Sequence, residues 1–281
     1  MSLSCRNAAG SATRAWVAGA AAAAAGFVAG PASASVAPAA QAAVGPVAAH
    51  SAAAHGAVSR SAVLRELAMH KPDIDARTGH ASTDNPWGGY AVTGGTFTSV
   101  TGDWVVPSLN CSATAGDISF WSGLDGWTSD TVEQIGLDAV CTSSKKIEYN
   151  PWVEMYPADS IYFTDTVKAG DTMTSTVTTN GSGSFTLTLA DPTQGWTKTY
   201  HKTLDSADLS SAEVIDESIG SQDIPPCPNF GTISFSDVTA NGVPFASAGS
   251  VQTTNLERDG VLLTDDGPLN GTSFAITWQH K

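Results

Sequence analysis

Positive charge is scarce in this chain: 13 Lys and Arg stand against 27 Asp and Glu, a formal net charge of −14 over 281 residues. A field of that sign repels phosphate backbones and anionic lipid heads, which excludes nucleic acid and a membrane surface as partners. Charged residues of both signs together make up only 14%, well below the usual share, which excludes a coiled coil and a charge-driven disordered protein. Histidine is scarcer still: only His201 and His280 lie beyond residue 84, so a Ser-His-Asp triad is hard to assemble. The chain contains no His-Glu-x-x-His pattern, no Gly-rich phosphate loop and no Gly-x-Ser-x-Gly elbow. Those are the arrangements that hold zinc, cradle nucleotides or raise a hydrolase serine. Cysteine is limited to four, without the neighbouring histidines of a zinc site, so neither a metal nor another cofactor is expected. Any chemistry must come from carboxylates and amides.

What is there divides sharply. Residues 1–84 carry six basic and four acidic side chains, a formal sum of +2, which leaves −16 for everything from Asn85 onward. Arg6 and Arg14 precede an alanine-rich apolar run to about Gly30, followed by small-residue sites at Ala32-Ser33-Ala34 and Ala40-Gln41-Ala42. This pattern reads as a secretory signal peptide over 1–42, cleaved near 34 or 42, since the run is too mildly apolar for a good transmembrane anchor. Residues 43–84 read as a propeptide or a linker, with four of the six histidines and one short helical pattern. Export permits disulfides. With Cys5 removed in the signal, Cys111 and Cys141 form the preferred bridge because both flank strand-like segments; other pairings with Cys227 stay open. Closing such a loop stabilises by roughly 3 kcal/mol in the chain-entropy model.

From Asn85 the pattern is strand after strand. Apolar and polar residues alternate with a period of two in Phe185 to Leu189, Met173 to Val177 and Ile233 to Phe235, the signature of half-buried strands. Further candidates are Thr96 to Val106, Ile118 to Leu124, Ile147 to Tyr156, Ile161 to Val167, Trp196 to Thr203, Ala212 to Ile219, Val251 to Glu257 and Thr272 to Trp278. With so many strands and no convincing long helix, an all-β fold follows: a sandwich of two large antiparallel sheets, a lectin-like jelly roll, over 85–281.

Five ordered motifs concentrate aromatic and polar residues. They are Trp87-Gly88-Gly89, the Trp-x-Gly-x-Asp-Gly run from Trp121 to Gly126, Gln134 before Ile135-Gly136, Trp-x-Glu-x-Tyr-Pro from Trp152 to Pro157, and Ala-Glu-x-x-x-Glu from Ala212 to Glu217. In order this set resembles the glutamic peptidases, or eqolisins, secreted acid endopeptidases, over nearly all of residues 85–278, with one residue fewer between Asp125 and Gln134 than in the family pattern. The resemblance implies a catalytic pair, Gln134 and Glu217, on a concave sheet face that takes an extended polypeptide. It also implies that Trp87, Trp121, Asp125, Glu154 and Tyr156 line the substrate cleft. The chain departs from the family pattern at Pro86, Asn150 and Asp216.

The chemistry of that pair is coherent. An ordinary glutamate pKa of about 4.3 suits a base that works in acid, and Glu217 could take a proton from water and return it to the leaving amine. The Gln134 amide offers two N–H donors for the attacking water and the oxyanion. No metal and no covalent intermediate is needed, polypeptides are the expected partners, and the enzyme is expected to act as an extracellular monomer. Three alternatives remain open on the same sandwich. One is a carbohydrate-binding module, the second a glycoside hydrolase working through Glu154 and Glu217, and the third an inactive relative.

Overall fold

A computed structural model describes residues 85–218 and 226–280; the signal peptide and the propeptide or linker expected over residues 1–84 lie outside the described residues. Every pairing is antiparallel. One sheet has seven strands in the order β13 (Ser250–Thr254), β1 (Trp87–Thr93), β10 (Ser211–Glu217), β3 (Gly116–Leu124), β4 (Val132–Cys141), β5 (Ile147–Tyr156) and β6 (Ile161–Tyr162). The other runs β16 (Thr264–Asp266), β17 (Phe274–Trp278), β11 (Thr232–Ala240), β2 (Ser99–Val105), β7 (Thr172–Thr179), β8 (Ser184–Asp191) and β9 (Trp196–Thr203), with β12 (Val243–Pro244) added beside β11. A two-stranded ribbon, β14 (Glu257–Arg258) with β15 (Val261–Leu262), completes the all-β sandwich expected from the sequence. Among the described residues no helix is long and apolar enough to cross a membrane.

Alternation explains the packing. In β8 and β7 the even beat of Phe185, Leu187, Leu189, Met173 and Val177 is buried while the threonines between face outward. These side chains meet Val214, Phe120, Ile135, Leu137 and Val153 of the seven-stranded sheet in one core. Each such buried aliphatic or aromatic side chain contributes about 1.5–3 kcal/mol. The edge strand β9 has no buried residue and carries Lys198, His201 and Lys202, charges that discourage another strand from pairing there.

The expected bridge is present: Cys111 and Cys141 are joined across a separation of 30 residues, and Cys227 is free and buried. Strand bounds at Ile147–Tyr156 and Trp196–Thr203 coincide with the sequence reading. The candidate Ile161 to Val167 shrinks to Ile161–Tyr162, because only Trp152 and Val153 of β5 remain to pair with it. Two strands, β1 and β4, appear where the sequence showed motifs and no alternation.

Candidate active site

The seven-stranded sheet buries both faces along its centre. Its inner face meets the second sheet, whereas its outer face carries a separate apolar cluster of Trp87, Trp121, Val132, Trp152 and Ile215, with Trp127, Tyr156 and Tyr162 packed against it. Antiparallel register fixes which side chains share that outer face. One row across the strands reads Trp87, Glu217, Ser119, Asp138, Asn150; the next reads Gly89, Ile215, Trp121, Gly136, Trp152, Tyr162; the third reads Ala91, Glu213, Gly123, Gln134, Glu154. Side chains two residues apart on a strand point the same way. Gln134, Glu217, Trp87, Trp121, Glu154 and Tyr156 therefore all stand on one face of one sheet, and none of these rows contains a lysine or arginine.

Hydrogen bonds tie the face together in three groups. Trp121 donates its indole N–H to Glu217 Oε2 at 2.9 Å, and the Trp87 ring meets Trp121 edge to face with centroids 5.0 Å apart. Gln134 donates Nε2–H to Glu154 Oε2 at 2.6 Å, while Ser160 Oγ donates to Glu154 Oε1 at 2.7 Å. Between these, Asp138 accepts from Ser119 Oγ at 2.8 Å and from Tyr162 at 2.7 Å. Ser119 Oγ in turn accepts from the Trp152 indole at 3.2 Å.

Two glycines make this packing possible. A β-carbon on Gly136 would stand 2.4 Å from the Phe120 carbonyl oxygen and 2.5 Å from Trp121 Cβ, and one on Gly123 would stand 2.9 Å from the Trp121 ring. Trp121 thus lies in the space that the two missing side chains leave. Gly136→Ala is expected to displace that indole and loosen its bond to Glu217. The result should be a loss of about 1–3 kcal/mol of stability and about 100-fold in kcat/KM, read by thermal unfolding and by peptide hydrolysis.

Four carboxyls stand in these rows, Glu213 among them, and burial is the largest cause that moves each of them. Asp138 is pushed up to about 6, with Tyr162, Ser119 and Trp152 opposing the rise. Glu154 is pushed up to about 7, opposed by Ser160 and Gln134 and reinforced by Asp138 and Asp159. Glu217 is partly exposed, yet its carboxyl is enclosed and pushed up to about 8. The Trp87 and Trp121 indoles oppose that shift, and the charges of Glu154 and Asp138 add to it. The ordinary glutamate value expected for Glu217 is thus corrected upward, because the apolar cluster strips water from its charge. Asp216 is not among these causes. It points to the opposite face, where a β-carbon on Gly88 would fall 2.1 Å from its Oδ1.

Asp125, expected in or near the cleft, is tied to the backbone. It is fully buried in the left-handed region at φ 66°. Its carboxylate accepts the backbone N–H groups of Leu209 and Ser210, each at 2.8 Å, which fixes the chain as it enters β10. Sequence reasoning missed Asp138, Ser160, Tyr162 and the role of the two glycines. The signal for Asp138 was present, since it lies two and four residues beyond Gly136 and Gln134 on a strand of period two.

With this geometry in view, comparison with known proteins is direct. The Peptidase A4 family pattern matches residues 85–278. Aspergillopepsin-2 of Aspergillus niger is 28% identical over 219 residues, covering 68% of this chain and 77% of its own length. The crystal structure of scytalido-glutamic peptidase with a peptide-based transition-state analogue is similar at a TM-score of 0.60. The two are 26% identical, and the match covers 69% of this chain and 98% of that one. Aspergilloglutamic peptidase from Aspergillus niger follows at a TM-score of 0.52 and 28% identity, over 58% of this chain and 99% of that one. The chain belongs to the Peptidase A4 family and is a glutamic-type endopeptidase.

Proposed function

We propose that the outer face of the seven-stranded sheet hydrolyses peptide bonds through Gln134 and Glu217, with the chain exported by its N-terminal signal and active in acid. The observation that carries this reading is the shared face: a long amide rises from β4 and a long carboxyl from β10 on the same side of one sheet, under a tryptophan cover, with the row of Trp121 between them and Glu213 as the β10 carboxyl in the row of Gln134. Glu217 takes a proton from a bound water as the water oxygen attacks the peptide carbonyl. The Gln134 amide N–H groups hold the oxyanion that forms, and Glu217 then gives its proton to the departing amine nitrogen, leaving a free acid and a free amine. Trp87 and Trp121 exclude bulk water and orient the carboxyl. A relative crystallised with a peptide-based transition-state analogue supports an extended polypeptide as the ligand.

A base must be ionised, and Glu217 resists ionisation while Glu154 and Asp138 carry charge. When those two hold protons, their repulsion of Glu217 disappears and the indole N–H groups remain to favour its carboxylate. Burial, the largest cause, is unchanged by those protons, so acid removes only the smaller part of the resistance of Glu217 to ionisation. A two-carboxylate sugar hydrolase working through Glu154 and Glu217 would leave the Gln134 amide without a required role. The test is digestion of a denatured protein at about pH 4 beside Glu217→Gln, with polysaccharides in parallel. Peptide fragments from the wild type only are expected; sugar cleavage, or fragments undiminished in the variant, would overturn the proposal.

A further inference from the structure

Gln134 is 6% exposed, and its two amide atoms have unequal fates. Its NH₂ group is turned to Glu154, 2.6 Å away, while Oε1 has no hydrogen-bond partner. This orientation suits an ionised Glu154, which can only accept. It does not suit an oxyanion, because one of the two N–H groups is taken up by Glu154 and the amide oxygen is a second acceptor beside the reacting carbonyl. A half-turn of the carboxamide about its last bond exchanges the two ends within almost the same volume. Oε1 then stands against Glu154, and that contact is a hydrogen bond only if Glu154 carries a proton to donate.

We propose that Glu154 is a positioning residue that sets the orientation of the Gln134 carboxamide. Protonated, it donates to Gln134 Oε1 and leaves both amide N–H groups for the bound peptide; ionised, it draws the NH₂ group away from the reacting centre. This rests on the reading of Gln134 as the oxyanion donor. The proton comes from and returns to solvent, so the step consumes nothing else.

The surroundings of Glu154 favour the protonated form in acid. Asp138 faces it from β4, Asp159 from the turn after β5, Tyr162 from β6 and Glu217 from β10, and no cation is among these neighbours. Only Ser160 and Gln134 favour its charge, and burial holds it up to about 7. Protonation also removes one of the charges that repel Glu217. One proton on Glu154 thus turns the amide toward the substrate and eases ionisation of the base; as pH rises through its pKa both effects are lost together.

The test is the pH profile of kcat/KM for a fluorogenic peptide with wild type, Glu154→Gln, Ser160→Ala and Gln134→Ala. A carboxamide at position 154 can donate to Gln134 Oε1 at every pH, so Glu154→Gln is expected to move the alkaline limb up by one pH unit or more, through kcat and not KM. Ser160→Ala removes a hydrogen bond that favours the carboxylate, so it should move the same limb in the same direction by a smaller amount. In ¹⁵N-labelled wild type the Gln134 side-chain amide should titrate with the midpoint of that limb, and in Glu154→Gln it should not. Limbs that stay in place in both variants while Gln134→Ala is inactive overturn the switch. Activity retained by Gln134→Ala overturns instead the underlying reading of that amide.

Discussion

The thermal unfolding midpoint is expected to fall by at least 10 °C between about pH 4 and about pH 8. The fold encloses carboxyls that the unfolded chain would leave in water. Glu133 is raised from 4.5 to about 8, first by burial and then by the Asp125 charge. Asp216 is raised to about 7 and Asp266 to about 8, burial again leading, with the Asp216 charge adding to the rise in Asp266. Glu213, fully buried, lies well above its ordinary range for the same first reason. The sign follows from proton counts. Between the unfolded values near 4 and these folded values the native state binds more protons, so stability is full below about pH 4 and is lost as pH rises through the folded pKa values. Glu133 alone contributes about 5 kcal/mol to that loss, and a domain of this size shifts its midpoint by about 2–4 °C per kcal/mol. Calorimetry at three pH values checks it, with Glu133→Gln expected to flatten the curve. A midpoint that is level or rises over this range contradicts the account.

Glu217→Gln is expected to lower kcat/KM at about pH 4 by roughly 10²- to 10⁴-fold, the usual worth of a positioned acid–base group. The variant keeps an oxygen for the Trp121 indole, so the cover over the site should stay in place. Gln134→Ala should cost roughly 10²- to 10³-fold, about 3–4 kcal/mol of barrier, as for the loss of one oxyanion donor. Both losses should fall on kcat, because neither group is needed to hold the peptide away from the scissile bond. Initial rates with a fluorogenic peptide, normalised to folded protein by near-UV circular dichroism, measure them.

How much of this was readable beforehand depended on whether a residue's surroundings were local. β7, β8 and β9 were legible because one face meets the core and the other meets water, so hydrophobicity alternates. β1 and β4 were not. Val132 to Cys141 is buried along nearly its whole length, since one face meets the core and the other the tryptophan cluster, and a strand dry on both sides has no alternation to read. Trp87 to Thr93 begins with a pair of glycines, which read as a turn; in the fold Gly89 takes φ 110° with the β10 backbone pressed against it. The strands that present Trp87 and Gln134 were thus the hardest to see, although the residues themselves stood out in the motifs. The backbone partners of Asp125 were not readable because they lie 84 and 85 residues away. Glu217 was given an ordinary pKa because desolvation is set by Trp87 and Trp121, whose arrival over the carboxyl depends on three-dimensional packing.

The most direct test of the pair is the double variant Gln134→Ala with Glu217→Gln, compared with each single variant by kcat/KM on one peptide at about pH 4. If the amide and the carboxyl act on one water and one carbonyl, the second substitution has little left to remove. The double variant should then be no slower than the slower single within a few-fold. Losses that multiply, as for two groups working at separate places, would contradict a shared site on the outer face of this sheet.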